Sequence, residues 1–413
     1  MKTIFIIIDG LGDQPIPALG NKTPLESART PNFNFLAKNG VCGLVLPWTK
    51  KSKLPTSEDT HLALFGFNPK IHNPGRGVLE VMGIGMKVLP GDVCLRGNFA
   101  TVDSEGIIID RRAGRIDKTR PLIKALNGMI IEGVYPVKSR KAGAAKPLFN
   151  RVKFLIGKAI SHRIGIIIRG KNLSAKISDN DLKVVGARPL PIKALDKLKE
   201  TKYTAETLNQ FLEKAHYILK NHPLNKKRKL PANYILVRGA GAFKKSPTFY
   251  QKYKLKAGCI AAGTLYKGIG KYLGMDPVRV KGITGLSCTD LREKFLVSKK
   301  SLNKHDFIFC HIKAADSLAE DGNFQGKKNF IEQIDKNLKL LLGLKDILLV
   351  VTGDHSTCSL KKRHCSEPLP ILIYSDKIKP DKVKTFSEKS CKNGKLGKIK
   401  QLNLMQKVVC YNK

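Results

Sequence analysis

The sequence predicts an α/β protein in which a sheet is sandwiched by helices and a smaller α/β (α+β) domain is inserted into the larger one. Three observations predict it. Short β-branched apolar runs end in Gly, Asp, Arg or His, helical patterns lie between those runs, and chemically capable side chains follow the runs near both chain ends but not in the middle. The runs are TIFIIIDG (3–10), RIGIIIRG (163–170), NYILVRGAG (233–241), AGCIAAG (257–263), FIFCHIK (307–313) and ILLVVTGDH (347–355). Unbroken β-branched runs of this length suit strands covered on both faces.

The helical patterns include TPNFNFLAKNG (30–40) and NFIEQIDKNLKLLLGL (329–344). In the first, Thr30 stands as N-cap, Pro31 at the first helical position and Gly40 beyond the end, the usual capping asymmetry. In open α/β sheets, sites form beyond the carboxyl ends of strands. Asp9, His311, Lys313, Asp316, Asp354 and His355 all follow apolar runs in this way, while the stretch from about Gly75 to Gln251 contributes arginines and no comparable Asp/His group. This split predicts a discontinuous domain, 1–74 with 252–413, and an inserted domain, 75–251. Within the insert, KNHPLNKKRKLPAN (220–233) reads as a surface loop, the nearest thing to a mobile linker.

At 413 residues the chain can bury two ordinary cores. Its nine cysteines are an odd number without a CxxC pair, and several sit in apolar runs, which suits reduced, buried thiols and a cytoplasmic protein. The apolar run before Asp9 is too short for a signal-peptide core, and no segment approaches membrane-spanning length. Lys and Arg outnumber Asp and Glu 75 to 33, a formal net charge of +42. Such an excess attracts polyanions and small phosphorylated substrates alike. The basic runs TKKSK (49–53), NKKRK (225–229) and LKKR (360–363) lack interleaved aromatics, so they read as solvated surface with weak RNA adhesion, not as a dedicated nucleic-acid site.

Asp and His residues at strand ends make a mixed oxygen and nitrogen donor set suited to manganese, zinc or magnesium. Each alone is an ordinary cap or a satisfied polar residue; together Asp354, His355, His364, Asp316 and Asp9 predict a metal site. In LPTSEDTHLALFGFNP (54–69), Ser57 falls near a helix N-terminus, where it serves either as an N-cap or, beside a metal, as an activated nucleophile. In the middle of the chain, DRRAGRI (110–116) offers Arg111, Arg112 and Arg115, with Asp110 to orient a guanidinium. His162 and Arg163 in SHRIG and Arg238 in LVRGAG add to a cluster able to grip a small, multiply charged acid. Lys267 in GTLYKGIG, a stretch without the GxGxxG fingerprint, is read as a phosphate contact.

DGLGD, TPLESARTPNFNFLAKNG, TSEDTHLALFGFNP, GRGVLEVMGIGMKVLPGDVCLRGNFATVD, DRRAGRI, RGAG, GTLYKGIGKYLGM, HIKAAD and TGDHST with KRHCSEPLP occur in this order over nearly the whole chain. Together they resemble the archaeal-type, cofactor-independent phosphoglycerate mutases of the alkaline phosphatase superfamily. The resemblance implies an alkaline-phosphatase-like domain with two divalent ions, independence from 2,3-bisphosphoglycerate, and a substrate-binding insert. One ion would be held by Asp9, Ser57, Asp354 and His355, the other by Asp316, His364 and a residue four positions after Asp316. That residue is His in the family pattern DxxGH but Glu320 here, in DSLAE, and Glu58 stands where the family usually has Asp. A carboxylate at 320 favours manganese or magnesium over zinc; cobalt is a further candidate.

On this reading Ser57 carries a phosphoryl group between 3-phosphoglycerate and 2-phosphoglycerate. Arg238 and Lys267 act with it in catalysis, while Asp110, Arg111, Arg112, Arg115, His162, Arg163 and Lys313 bind substrate, His162 being a candidate proton shuttle. Two alternatives share these residues. One is a metal-dependent phosphatase or another phosphomutase with the same core. The other, suggested by the +42 charge and by Glu320, is a degenerated enzyme that binds polyanions. The sequence leaves the oligomeric state open.

Overall fold

The structure, a computed structural model, describes residues 1–50, 53–135 and 148–412. The centre of the basic run TKKSK, residues 51 and 52, lies outside the described residues. The chain divides into two units, Met1–Asn73 with Ser246–Lys413, and Pro74–Lys245.

In the first unit eight strands run in the order Asp276–Pro277, Ala257–Ile260, Phe307–Ile312, Lys2–Ile8, Ile347–Thr352, Leu369–Tyr374, Val41–Leu46 and Gly397–Lys400. Lys2–Ile8 is parallel to both neighbours, whereas Leu369–Tyr374 is antiparallel to the strands on either side of it. Ile4, Phe5, Ile6, Ile7 and Ile8 are all fully buried, as an unbroken apolar run in a central strand must be. On one face Phe5 meets Phe65 and Phe307. On the other, Ile4, Ile6 and Ile8 join the core formed with Phe330, Ile331 and Ile334 of the helix Phe324–Leu338.

The helix Pro31–Lys38 begins where its sequence predicts, yet Thr30 does not cap it: its side chain makes no cap hydrogen bond. The cap comes from another helix. Asp335 Oδ1 accepts from the Phe33 amide at 2.7 Å, and Asp335 Oδ2 accepts from the Asn32 amide at 3.3 Å and its side-chain amide at 3.0 Å. A carboxylate at that end satisfies the free amides and complements the helix dipole, which a neutral hydroxyl does less well.

The second unit is built on an antiparallel sheet ordered Ile108–Asp110, Val93–Val102, Arg163–Arg169, Leu148–Lys158 and Ile130–Tyr135, with Tyr234–Ala242 also paired to Val93–Val102. Alternate residues of Arg163–Arg169 explain its unbroken apolar run. Ile164, Ile166 and Ile168 pack in the core that includes Leu208 and Phe211 of the helix Lys199–Asn221, while Ile167 packs with Val78 and Val81 of the helix Arg76–Gly83. Phe154 and Phe211 stack at 4.0 Å.

Two sequence-based expectations need correction. Residues 220–233 are not a loose linker: the buried Asn225 donates to Leu219 O and Ala232 O at 2.8 and 3.0 Å and accepts from the Ala232 amide at 2.8 Å. Nor are all the cysteines reduced. Cys358 and Cys365 form a disulfide across a hairpin, with Cα atoms 6.0 Å apart, and the other seven are free thiols. No CxxC spacing announces the bridge, because antiparallel pairing of Ser356–Cys358 with Arg363–Cys365 creates it.

Asp335→Ala should lower unfolding stability by about 2 kcal/mol, the cost of stranding buried amide donors. Asp335→Asn should restore part of that loss, and denaturant titration of the three proteins is the check.

Candidate metal centre

Three parallel strands end side by side, and the residues just past their ends form the centre. Ile8 is level with Ile312 and Ile7 with Thr352, so Asp9, Lys313 and the Gly353–His355 turn leave the sheet at one edge. The helix Ala314–Glu320 starts directly after its strand and presents Asp316 in its first turn. His364 arrives on the disulfide-bridged hairpin, opposite Thr357. Gly10 is required at this edge: its φ is +67°, and a Cβ there would stand 2.7 Å from Asp316 Cα.

Ser57 is the first residue of the helix Ser57–Leu64, and Thr56 provides the cap, accepting from the Asp59 amide at 3.4 Å. The N-cap reading of Ser57 therefore fails, and its hydroxyl is free to face the centre. Ser57 Oγ lies 3.4 Å from His355 Nε2.

The hydrogen bonds define which nitrogens carry protons. The Thr357 hydroxyl donates to Asp316 Oδ1 at 2.7 Å, so toward His355 Nδ1, 3.2 Å away, it can only accept. His355 thus carries a proton at Nδ1, and its Nε2 faces Asp354 Oδ2, 3.2 Å away, and Asp9 Oδ1, 3.4 Å away. His364 follows the same logic. Its Nδ1 donates to Pro55 O at 2.8 Å, and its Nε2 lies 3.6 Å from Asp316 Oδ1 and 3.8 Å from Glu320 Oε1.

Imidazole nitrogens and carboxylate oxygens thus converge in one place. Asp9 Oδ1 is buried with no hydrogen bond at all. The donor atoms of Asp9, Asp354 and His355 lie within 4.8 Å of one another, as do those of Asp316, His355 and His364. A divalent cation fits this donor set, since acceptors held this close repel until a positive charge sits among them.

The local charges tell the same story. Burial, with repulsion by Asp9 and Asp316, pushes the Asp354 carboxyl well above the usual range. Burial also opposes ionisation of Asp9, but Lys313, His311 and His355 outweigh it and hold that carboxyl low. Lys313 Nζ lies 3.1 Å from Asp9 Oδ2 and also pairs with Asp316. The Tyr266 hydroxyl donates to Asp9 Oδ2.

The Metalloenzyme superfamily pattern matches residues 1–409. A 2,3-bisphosphoglycerate-independent phosphoglycerate mutase of Archaeoglobus fulgidus is 38% identical over 416 aligned residues, covering 98% of this chain and 96% of the relative. The chain belongs to the cofactor-independent phosphoglycerate mutase family. A structure titled as the cofactor-independent mutase of Thermoplasma acidophilum superposes with a TM-score of 0.70 at 32% identity, each chain covered in full. A protein of Pyrococcus horikoshii superposes with a TM-score of 0.79 at 26% identity, over 100% of this chain and 98% of its own.

Within this family member, Asp9, Ser57, Asp316, Asp354, His355 and His364 come together in the first unit. Glu320 stands at the rim with its side chain half exposed. Lys313 is committed to Asp9 and Asp316, a place the substrate-binding reading did not foresee. Lys267 is exposed, because the helix Thr264–Tyr272 turns it outward and turns its neighbour Tyr266 inward onto Asp9. His61, fully buried four positions after Ser57, and His311, stacked on Tyr266 at 3.5 Å, complete the lining. Helical spacing from Ser57 was the available signal for His61.

In the second unit, Arg111 grips Asp181 with two bonds, Nε to Oδ1 at 2.9 Å and Nη2 to Oδ2 at 2.8 Å, and Arg238 Nη1 lies 3.7 Å from the same carboxylate. Asp110 does not orient a guanidinium. Its oxygens accept from the Arg112 and Gly114 amides at 2.6 and 3.1 Å, so it holds the turn and Asp181 takes the role expected of it. Arg115, at φ +53°, is exposed. Strand register sets Arg96 directly opposite Arg238, and the Nε atoms of both are buried without a hydrogen bond. Like charges facing across a sheet are unfavourable unless an anion lies between them. His162 is buried beside this group with Nδ1 unpartnered; burial first, then Arg163, Arg112 and Arg96, push its pKa down to about 4.

His162 should therefore stay neutral through pH 7, with NMR titration placing its pKa far below the free imidazole value. The sign follows. The folded-state value lies below the unfolded one, so the stability gained from the neutral ring is full above about pH 6.5 and lost as pH falls toward 4. Denaturant midpoints of wild type relative to His162→Gln should fall across that window.

Proposed function

We propose that the chain interconverts 3-phosphoglycerate and 2-phosphoglycerate through a phosphoserine at Ser57. It needs no 2,3-bisphosphoglycerate and uses two divalent ions, manganese first, with zinc, cobalt or magnesium as alternatives. The observation that carries the proposal is the convergence of carboxylate and imidazole donors beside a hydroxyl released from capping duty. Asp9, Ser57, Asp354 and His355 would hold one ion, and Asp316, His364 and Glu320 the other. Bound there, the ions would neutralise phosphoryl charge and lower the pKa of the serine hydroxyl.

Ser57 Oγ attacks phosphorus in line; the bond to the glycerate C3 oxygen breaks, and that oxygen leaves with a proton. In the reverse transfer the C2 oxygen attacks phosphoserine and Ser57 is regenerated, so nothing is consumed. The helix behind Ser57 adds its N-terminal dipole to the binding of the phosphoryl group. Arg96, Arg111, Arg112, Arg163 and Arg238 of the second unit are assigned to the carboxylate and phosphate of the glycerate, which must stay bound while it reorients. His162, neutral at pH 7, is assigned the hydroxyl proton. Water exclusion separates this reaction from phosphate release.

No helix among the described residues is long and apolar enough to cross a membrane. A small phosphorylated substrate and a cytoplasmic location complete the proposal.

Ser57→Ala should abolish isomerisation and also the transfer of substrate phosphate onto protein; isomerisation retained in that variant sinks the assignment. Metal-stripped protein should regain activity with manganese in preference to zinc. Inorganic phosphate release without an isomer would instead favour a phosphatase. Glu320→His should move the metal preference toward zinc in a competition assay.

A further inference from the structure

The hairpin that delivers His364 carries a feature the mutase reaction does not use. Cys358 and Cys365, joined by the disulfide, are 1% and 6% exposed, and they close a ring that contains His364. Two contacts make the geometry of this ring matter to the centre. Thr357 pairs with His364 across the hairpin and donates to Asp316, and the rings of His364 and His355 stack at 3.7 Å. Any loosening of the hairpin therefore moves His364 relative to Asp316 and His355.

The surroundings suit both oxidation states. Glu367 Oε2 lies 3.6 Å from Cys358 Sγ, where it can accept a hydrogen bond from a reduced thiol. Its other oxygen is held by Gln14, so it is already positioned for that role. Access exists as well. Cys365 lines a cavity of about 370 Å³ with Leu54, Lys361, Arg363, His364 and Glu367, open to a small reagent and rimmed by positive charge.

We propose that Cys358 and Cys365 form a reversible redox site whose oxidised state fixes His364 for ion binding and whose reduced state weakens it. The reaction is thiol–disulfide exchange with a low-molecular-weight disulfide. The two protein thiols give up two electrons and two protons as their S–S bond forms, and the external disulfide leaves as two thiols. Access through the cavity lets the reverse reaction proceed with a small thiol. The coupling to ion binding rests on the reading of His364 as a ligand.

Alkylation after unfolding tests the site itself: protein equilibrated with oxidised glutathione should show no reactive cysteine at 358 or 365 and a 358–365 cross-linked peptide, whatever mixed disulfides the exposed Cys288 and Cys410 form. After dithiothreitol both positions should react. Reactive thiols at 358 and 365 in both states overturn the proposal. Coupling is read by manganese titration followed by electron paramagnetic resonance, without any activity assay. Reduction should weaken the second manganese equivalent about tenfold, the scale on which ligand positioning alters metal affinity. Cys365→Ala should show the weakened value in both buffers, and an unchanged thermal midpoint relative to reduced wild type shows that it folds. His364→Ala separates the two claims. If it leaves the second equivalent intact, the ligand assignment fails and the coupling with it; if it removes that equivalent while oxidised and reduced wild type bind alike, only the redox coupling fails.

Discussion

Three carboxylates and two imidazoles meet at the edge of a sheet, and the rest of the molecule is arranged so that they can. Asp9, Asp316 and Asp354 are almost entirely inaccessible to water. Burial makes each charge in that position more costly and the carboxylates repel one another, which is why the Asp354 carboxyl is pushed well above the usual range. The protein supplies what relief it can. Lys313 bridges two of the carboxylates, Tyr266 donates to one of them, and Thr357 fixes the tautomer of His355 while bonding Asp316. Cations are the remaining term, so ion binding and the integrity of this edge are one problem.

That constraint explains features distant from the chemistry. The parallel register of three strands is what aligns the polar residues, and those strands must be buried on both faces for their ends to meet. The small Gly10 lets the turn after the first strand lie against Asp316. Thr56 takes over the helix cap and thereby frees Ser57. In the second unit a different electrostatic cost appears with the opposite sign: arginines face each other across strands, partly offset by Asp181, Glu80 and their hydrogen bonds. One unit holds concentrated acceptors and the other concentrated donors.

Where the structure departs from the sequence-based expectation, the reason is local geometry decided at a distance. Lys267 and Tyr266 are adjacent on one helix, and only the packing of that helix decides which of them meets Asp9. Asp110 and Asp181 are both acidic residues near arginines, but the turn at 110–114 consumes the first and leaves the second to bind Arg111. Thr30 lost its cap to Asp335, a stronger acceptor supplied by a helix three hundred residues later in the chain.

By itself the sequence determined the strands, their order of chemical endings and which Asp and His residues follow them. Apolar runs followed by Asp or His are a one-dimensional signal, and the colinear motifs carried the family. Only the tertiary structure decided which nitrogens of His355 and His364 face the carboxylates, that Ser57 escapes capping, that Lys313 joins two carboxylates, and that two cysteines meet beside His364. Each of those depends on a hydrogen bond, a bridge or a close approach between segments far apart in the chain, and neither residue spacing nor periodicity encodes such contacts.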